Sequence, residues 1–373
     1  MRVGINALLC ASGQNYRRTG VSRYIDELVR RLAVEDEGLE LLAYVSRDFE
    51  SDAWDSVRLR RSAVPVDNPA VRIGWEFGAL PVAAIRDRLD VFHGTINGLP
   101  RGIRAATAVT IHDLAFLRYP EQITRKRYGY LKWMIAAAVK RADIVLTPSN
   151  ATRVDVIESF DIPPDRVVVT PLGVDARFRP ASREAIEIVR STYQLERPYI
   201  LTVGTLEPRK NLPMLLRAFA ALHEEIPHDL VLAGPDGWLM DEIEQTIATT
   251  GIASRVRRIG FTDDQSLVAL YSGADLMAIP SLYEGFGLPV IEAMAAGAPV
   301  LTSNVSSLPE VAGDAAVLID PTDLESVVEG IRRVLGSDDV RAQLRARGPL
   351  RAAQFTWERT ASETLAAYQR IAR

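Results

Sequence analysis

The 373 residues are 47% hydrophobic and 25% charged, enough for two domains with separate cores. A formal charge of −4 supplies no global positive field for nucleic acid, and 24 Gly and 21 Pro leave no collagen-like or low-complexity tract. The single cysteine, Cys10, excludes internal disulfides and Cys-based zinc sites, and four histidines without metal spacing argue against a His-held metal.

The first apolar run, 3–10, is interrupted by Asn6 and preceded only by Arg2, so it reads as a buried strand over 3–9 rather than a signal sequence. A helix is expected over 21–33, where Ile25, Leu28, Val29 and Leu32 recur at helical spacing. Short apolar runs at 41–45, 91–93, 108–111, 144–147 and 167–170 read as strands covered on both faces. The turn Pro171-Leu172-Gly173-Val174-Asp175 then interrupts the pattern. It restarts at 199–204 and continues at 230–233, 256–259, 276–279, 299–302 and 316–319, before a closing helix over 357–372. Alternating strands and helices predict an α/β protein of two doubly wound parallel sheets. The boundaries expected are 1–175, completed by 356–373, and 176–355, with a ligand cleft between the halves where strand C-terminal ends face each other. No apolar run reaches the ~18–20 residues that span a bilayer, so a cytoplasmic protein is expected.

The chemistry-bearing residues fall at loop-to-helix junctions. Glu284-Gly285-Phe286-Gly287-Leu288-Pro289 leads from a strand into a helix that carries Glu292 and stops at Gly297. Two carboxylates and the N–H groups of Phe286, Gly287 and Leu288 at a helix N-terminus suit a polyhydroxylated ligand bearing phosphate. Two glutamates in a first turn can also simply stabilise the helix dipole. Gly204-Thr205-Leu206-Glu207-Pro208-Arg209-Lys210-Asn211 follows a second-half strand, and its adjacent Arg and Lys can meet a diphosphate as fork and point charge. A bare Arg-Lys pair is usually solvated; here Lys210 is one of only four lysines. Thr19-Gly20-Val21-Ser22 opens the first helix, where Gly20 permits close approach of a phosphate or sugar. His112-Asp113 and His93 each end a strand; one histidine is expected in the core, and His112 is the one expected to donate to sugar hydroxyls or phosphate.

Together these residues resemble the retaining GT-B glycosyltransferases of family 4: the E-x7-E pair Glu284 and Glu292, Arg209-Lys210, the Gly20 loop, His112-Asp113, the 171–175 turn and the Trp357 helix. The run Thr110-Ile111-His112-Asp113-Leu114 and the Glu207–Asn211 stretch are similar to bacterial mannosyltransferases of O-antigen and exopolysaccharide assembly. The resemblance is looser over 34–90. It implies an acceptor-binding first domain, and a second domain that binds a nucleotide sugar, with GDP-mannose favoured and UDP- or ADP-sugars as alternatives. Arg209 and Lys210 would neutralise the diphosphate, with Gly204 in their loop. Glu292 would hold the ribose, and Glu284 with the 286–288 amides the transferred sugar. His112 would contact the sugar or its phosphate, and Gly20 would leave room for diphosphate and acceptor. It also implies front-face transfer with no metal or other cofactor, to a saccharide or polyprenyl-linked saccharide acceptor.

The segment Arg125–Arg141 combines Arg125, Lys126, Arg127, Lys132, Lys140 and Arg141 with Tyr128, Tyr130 and Trp133. It reads first as a crossover helix and second as a basic amphipathic helix peripheral to an anionic membrane. Rival functions are a nucleotide-sugar epimerase, a phosphorylase, a non-catalytic sugar-nucleotide binder and a dinucleotide oxidoreductase. The phosphorylase needs a cofactor-binding lysine among four, and no G-x-G-x-x-G follows a strand to support the oxidoreductase.

Overall fold

A computed structural model describes residues 1–10, 20–36, 38–66, 68–238 and 240–372. The chain divides into two compact units, Met1–Gly173 with Thr356–Arg373, and Val174–Phe355.

The first unit is built on a seven-stranded parallel sheet: β1 (Arg2–Asn6), β2 (Glu40–Val45), β3 (Arg58–Arg61), β4 (Val91–Gly94), β5 (Ala106–Thr110), β6 (Ile144–Thr147) and β7 (Val167–Val169). Their order is β3-β2-β1-β4-β5-β6-β7. Central strands such as β4 and β5 are buried along their whole length, which is why they read as unbroken apolar runs. β3, Arg-Leu-Arg-Arg, lies at the sheet edge and is partly exposed. It is absent from the expected strands because an edge strand needs no apolar run, and its charges discourage further pairing. Helices Gly20–Glu35, Pro69–Arg86, Arg125–Arg141 and Asn150–Phe160 supply the crossovers.

The closing helix Trp357–Ile371 returns to this unit. It packs on Gly20–Glu35, and the Tyr368 hydroxyl lies 2.6 Å from Nδ1 of His93. Gly173 makes the return possible: a Cβ there would lie 2.2 Å from the Trp357 main-chain nitrogen.

The second unit holds a six-stranded parallel sheet in the order β10-β9-β8-β11-β12-β13. The strands are β8 (Tyr199–Val203), β9 (Asp229–Ala233), β10 (Val256–Gly260), β11 (Leu276–Ile279), β12 (Val300–Ser303) and β13 (Val317–Ile319). All six coincide with expected strands. Leu215, Leu216 and Phe219 of helix Leu212–Leu222 pack on one face of the sheet with Ile331 and Val334 of helix Leu324–Leu335. These are two parallel α/β sheets with a helical C-terminus, as the pattern predicts. Among the described residues no helix is long and apolar enough to cross a membrane.

Candidate active site

Strand order brings the second-half motifs together. β8 and β11 are paired although β9 and β10 separate them in sequence, so the order of the sheet reverses between them. Loops leaving the C-terminal ends of such a pair turn to opposite sides and open a crevice, the usual place for ligands in open α/β sheets. The loop after β8 carries the turn Pro208–Lys210; the loop after β11 carries 280–287 and enters helix Leu288–Ala295.

Three main-chain features lock these loops. The Leu282 N–H donates to the Arg209 carbonyl at 2.8 Å. Asn211, left-handed at φ 57, donates its side-chain amide to the carbonyls of Pro280 (3.1 Å) and Pro321 (2.7 Å). Gly204 has φ +137, and a Cβ there would sit 3.2 Å from Lys210 Cε, so glycine lets the lysine fold back over its own loop.

The charged groups then converge on one carboxylate. Lys210 Nζ reaches Glu284 Oε1 at 2.6 Å, Arg209 Nη1 reaches Oε2 at 2.6 Å, and Ser281 Oγ donates to Oε1 at 2.8 Å. Arg209 Nε also pairs with the buried Glu207. The Glu284 side chain is 8% exposed, against 11% for Lys210 and 23% for Arg209. Burial raises the Glu284 carboxyl, but the Arg209 and Lys210 charges and the Lys210 and Ser281 hydrogen bonds outweigh it and hold it at about 2.

Beyond Glu284 the chain is held by hydroxyls. Glu284 N–H donates to Ser306 Oγ at 3.0 Å, and Ser307 Oγ lies 2.8 and 2.9 Å from the carbonyls of Glu284 and Phe286. Gly287 caps the helix at φ 101, where a Cβ would also meet Leu308 Cδ2 at 2.9 Å. The N–H groups of Phe286, Gly287 and Leu288 have no acceptor among the described residues and lie at the positive helix end. Glu292, further along, is buried and accepts from the Tyr271 hydroxyl at 3.2 Å.

Gly20 and His112 belong to the first unit. Gly20 is the exposed first residue of helix Gly20–Glu35; Thr19 before it lies outside the described residues. His93 is the core histidine, fully buried, with Nε2 2.7 Å from Thr110 Oγ1, and burial lowers its pKa to about 3. The His112 ring packs edge-on against Tyr24 with centroids 4.9 Å apart. Its Nε2 lies 2.8 Å from the Thr95 carbonyl, which can only accept, so Nε2 carries the proton. Burial lowers the His112 pKa against the opposing Thr95 bond and Asp113 charge. The neutral ring therefore offers Nδ1, an acceptor, in place of the expected donor; the nearby carbonyl overrides what position alone suggested.

Glu207, Asn211, Ser281, Ser306, Ser307 and Tyr271 were not expected in the site. Glu207 and Asn211 sit inside the Arg-Lys motif and were findable there; the others act through tertiary contacts with no local signature. Among the described residues no group of three His, Cys, Asp or Glu side chains could hold a metal ion.

Comparison with known proteins agrees with this architecture. Residues 18–178 match the Glycosyltransferase Family 4 model and 186–351 match Glycosyl transferases group 1. The chain is 35% identical over 377 residues to O-antigen chain mannosyltransferase B of Escherichia coli, covering 95% of this chain and 97% of that one. Sucrose-phosphate synthase from Thermosynechococcus elongatus superposes with a TM-score of 0.79 at 21% identity, covering 99% of this chain and 98% of the other. Anabaena Alr3699/HepE, solved with UDP and glucose, superposes at 0.73 and 17% identity, covering 98% and 99%. The chain belongs to the GT-B glycosyltransferases, with a family 4 first half and a group 1 second half, and is a hexosyltransferase.

Proposed function

We propose that this enzyme transfers mannose from GDP-mannose to a saccharide carried on a lipid, with retention at the anomeric carbon and without a divalent metal. The observation that carries the reading is the pair Arg209 and Lys210, both on Glu284 at the β8/β11 crevice. A guanidinium and an ammonium side by side suit a diphosphate, as fork and point charge. Arrival of the diphosphate draws both cations from Glu284, whose freed oxygens then accept sugar hydroxyls. The 286–288 amides add partial positive charge, and Glu292 takes the ribose. Arg209 and Lys210 stabilise the charge that develops on the departing phosphate, the role a metal serves elsewhere. The acceptor oxygen bonds to the anomeric carbon on the face from which the phosphate oxygen leaves, and its proton passes to that phosphate. No carboxylate nucleophile is needed, unlike retaining hydrolases.

Mannose is favoured by the name of the E. coli relative, a mannosyltransferase aligned over nearly the full chain. A lipid-borne acceptor is supported by helix Arg125–Arg141. Its C-terminal half buries Ile135, Ala138 and Val139, whereas Tyr130 is 39% and Trp133 59% exposed beside Lys126, Arg127 and Lys132. Aromatic and basic side chains together suit an anionic lipid surface on the cytoplasmic side. The test is a thermal-shift panel of GDP-, UDP- and ADP-sugars with and without EDTA, since a ligand that binds the native state raises Tm by mass action. GDP-mannose giving the largest shift, unchanged by EDTA, is expected. A larger UDP-sugar shift overturns the mannosyl donor, and loss of the shift on chelation overturns metal independence.

A further inference from the structure

The first sheet has its own reversal of strand order, between β1 and β4. Asn6, the last residue of β1, is fully buried there. Its Nδ2 donates to Glu76 Oε1 at 2.6 Å, its Oδ1 accepts the Leu8 N–H at 3.3 Å, and its main-chain carbonyl accepts from the Thr95 hydroxyl just beyond β4. Thr95 in turn holds His112 through its carbonyl.

Glu76 comes from helix Pro69–Arg86 and is 8% exposed. No salt bridge reaches it among the described residues, although Arg72 lies one turn earlier on its helix and within electrostatic range. Its second oxygen, Oε2, has no hydrogen-bond partner among the described residues, and the residue is not fully enclosed. Tyr130 of helix Arg125–Arg141 is near enough to feel its charge. A nearly buried carboxylate without an ion pair is unfavourable in a structural role. It suits a site that a ligand completes. One open acceptor stands here, Glu76 Oε2, and the complementary ligand must bring a donor and no negative charge. Sugar hydroxyls meet both conditions.

We propose that Glu76 is a specificity-determining residue for the acceptor, its Oε2 accepting a hydroxyl of the acceptor sugar at the β1/β4 reversal. This rests on the transferase reading above and adds the residue that reads the acceptor. The test compares wild type with Glu76→Gln, which keeps an oxygen for Asn6 and turns the solvent-side acceptor into a donor. Activity is followed by GDP release from GDP-mannose, alone and with octyl α-mannoside, octyl α-glucoside or octyl β-galactoside, whichever accelerates wild type most. The expected result is a rise of tenfold or more in acceptor KM, with acceptor-free GDP release unchanged and Tm not lowered. An unchanged acceptor KM overturns the inference, and a lowered Tm with unchanged KM assigns Glu76 to packing alone. Acceptor-free release that none of the three glycosides accelerates in wild type also overturns it. Failure of wild type to release nucleotide from any GDP-, UDP- or ADP-sugar overturns the transferase reading itself.

Discussion

The two sheets reverse their strand order at matching places, β1/β4 and β8/β11, and each reversal carries a buried glutamate. Burial pushes both carboxyls the same way; the neighbours decide the outcome. Glu284 meets a guanidinium and an ammonium and falls to about 2, whereas Glu76 meets a side-chain amide and a more distant Arg72, and its pKa is raised. Topology thus sets where a ligand can bind, and side-chain charge sets which kind. On the proposed reading, the second reversal takes an anion and the first neutral hydroxyls.

The sharpest way to break this contrast is to remove a cation from the second reversal. Lys210→Ala is expected to lower kcat/KM by roughly 10²–10³-fold or more, by loss of charge stabilisation on the departing phosphate. The same change leaves Glu284 with one cation, so Tm falls as well. Adding Glu284→Gln should restore much of the Tm and none of the turnover. Recovery of activity in the double variant would mean that Lys210 serves only to neutralise Glu284.

A smaller effect, of opposite sign at the two sites, comes from pH. The Glu284 pKa is depressed from 4.5 to about 2, so its ion pairs stabilise the fold above about pH 4.5 and are lost as pH falls toward 2. The Tm advantage of wild type over Glu284→Gln should shrink across that window. Glu76 is raised, so the fold bears no penalty from it in acid and a growing one as pH rises through its pKa. Glu76→Gln should therefore gain on wild type with increasing pH, because Arg72 and Asn6 only partly offset the burial. Melting both variants from pH 3 to 8 checks this; slopes of the same sign would contradict the contrast.

The smallest expected effect lies outside both reversals. Lys126→Glu or Arg127→Glu should weaken pelleting with anionic vesicles, by about 1 kcal/mol for each basic group lost. Transfer to a water-soluble acceptor should not change. Pelleting indifferent to anionic lipid would confine Arg125–Arg141 to a crossover role.

Much of this was legible in the sequence. Buried strands such as β5 and β11 read as apolar runs because both faces are covered, and Glu284, Arg209 and Lys210 stood out as charges at strand ends next to glycines. Residues whose role depends on a distant partner were not legible. Tyr271 meets Glu292 only because two helices pack, and the left-handed Asn211 binds carbonyls 69 and 110 residues away. Glu76 lies within 34–90, where a buried carboxylate on an amphipathic helix looks like any solvated one until β1 places Asn6 against it. His112 was legible as a histidine at a strand end, but its bond to the Thr95 carbonyl was not, because that carbonyl comes from the loop after β4.

The central claim is that Arg209 and Lys210 leave Glu284 to grip a diphosphate without a metal. Calorimetric titration of GDP into wild type and Lys210→Ala, each with and without EDTA, tests it most directly. The account predicts binding at least tenfold weaker in the variant and no effect of the chelator on wild type. Equal affinities in the two proteins, or wild-type binding that vanishes with EDTA, would contradict it.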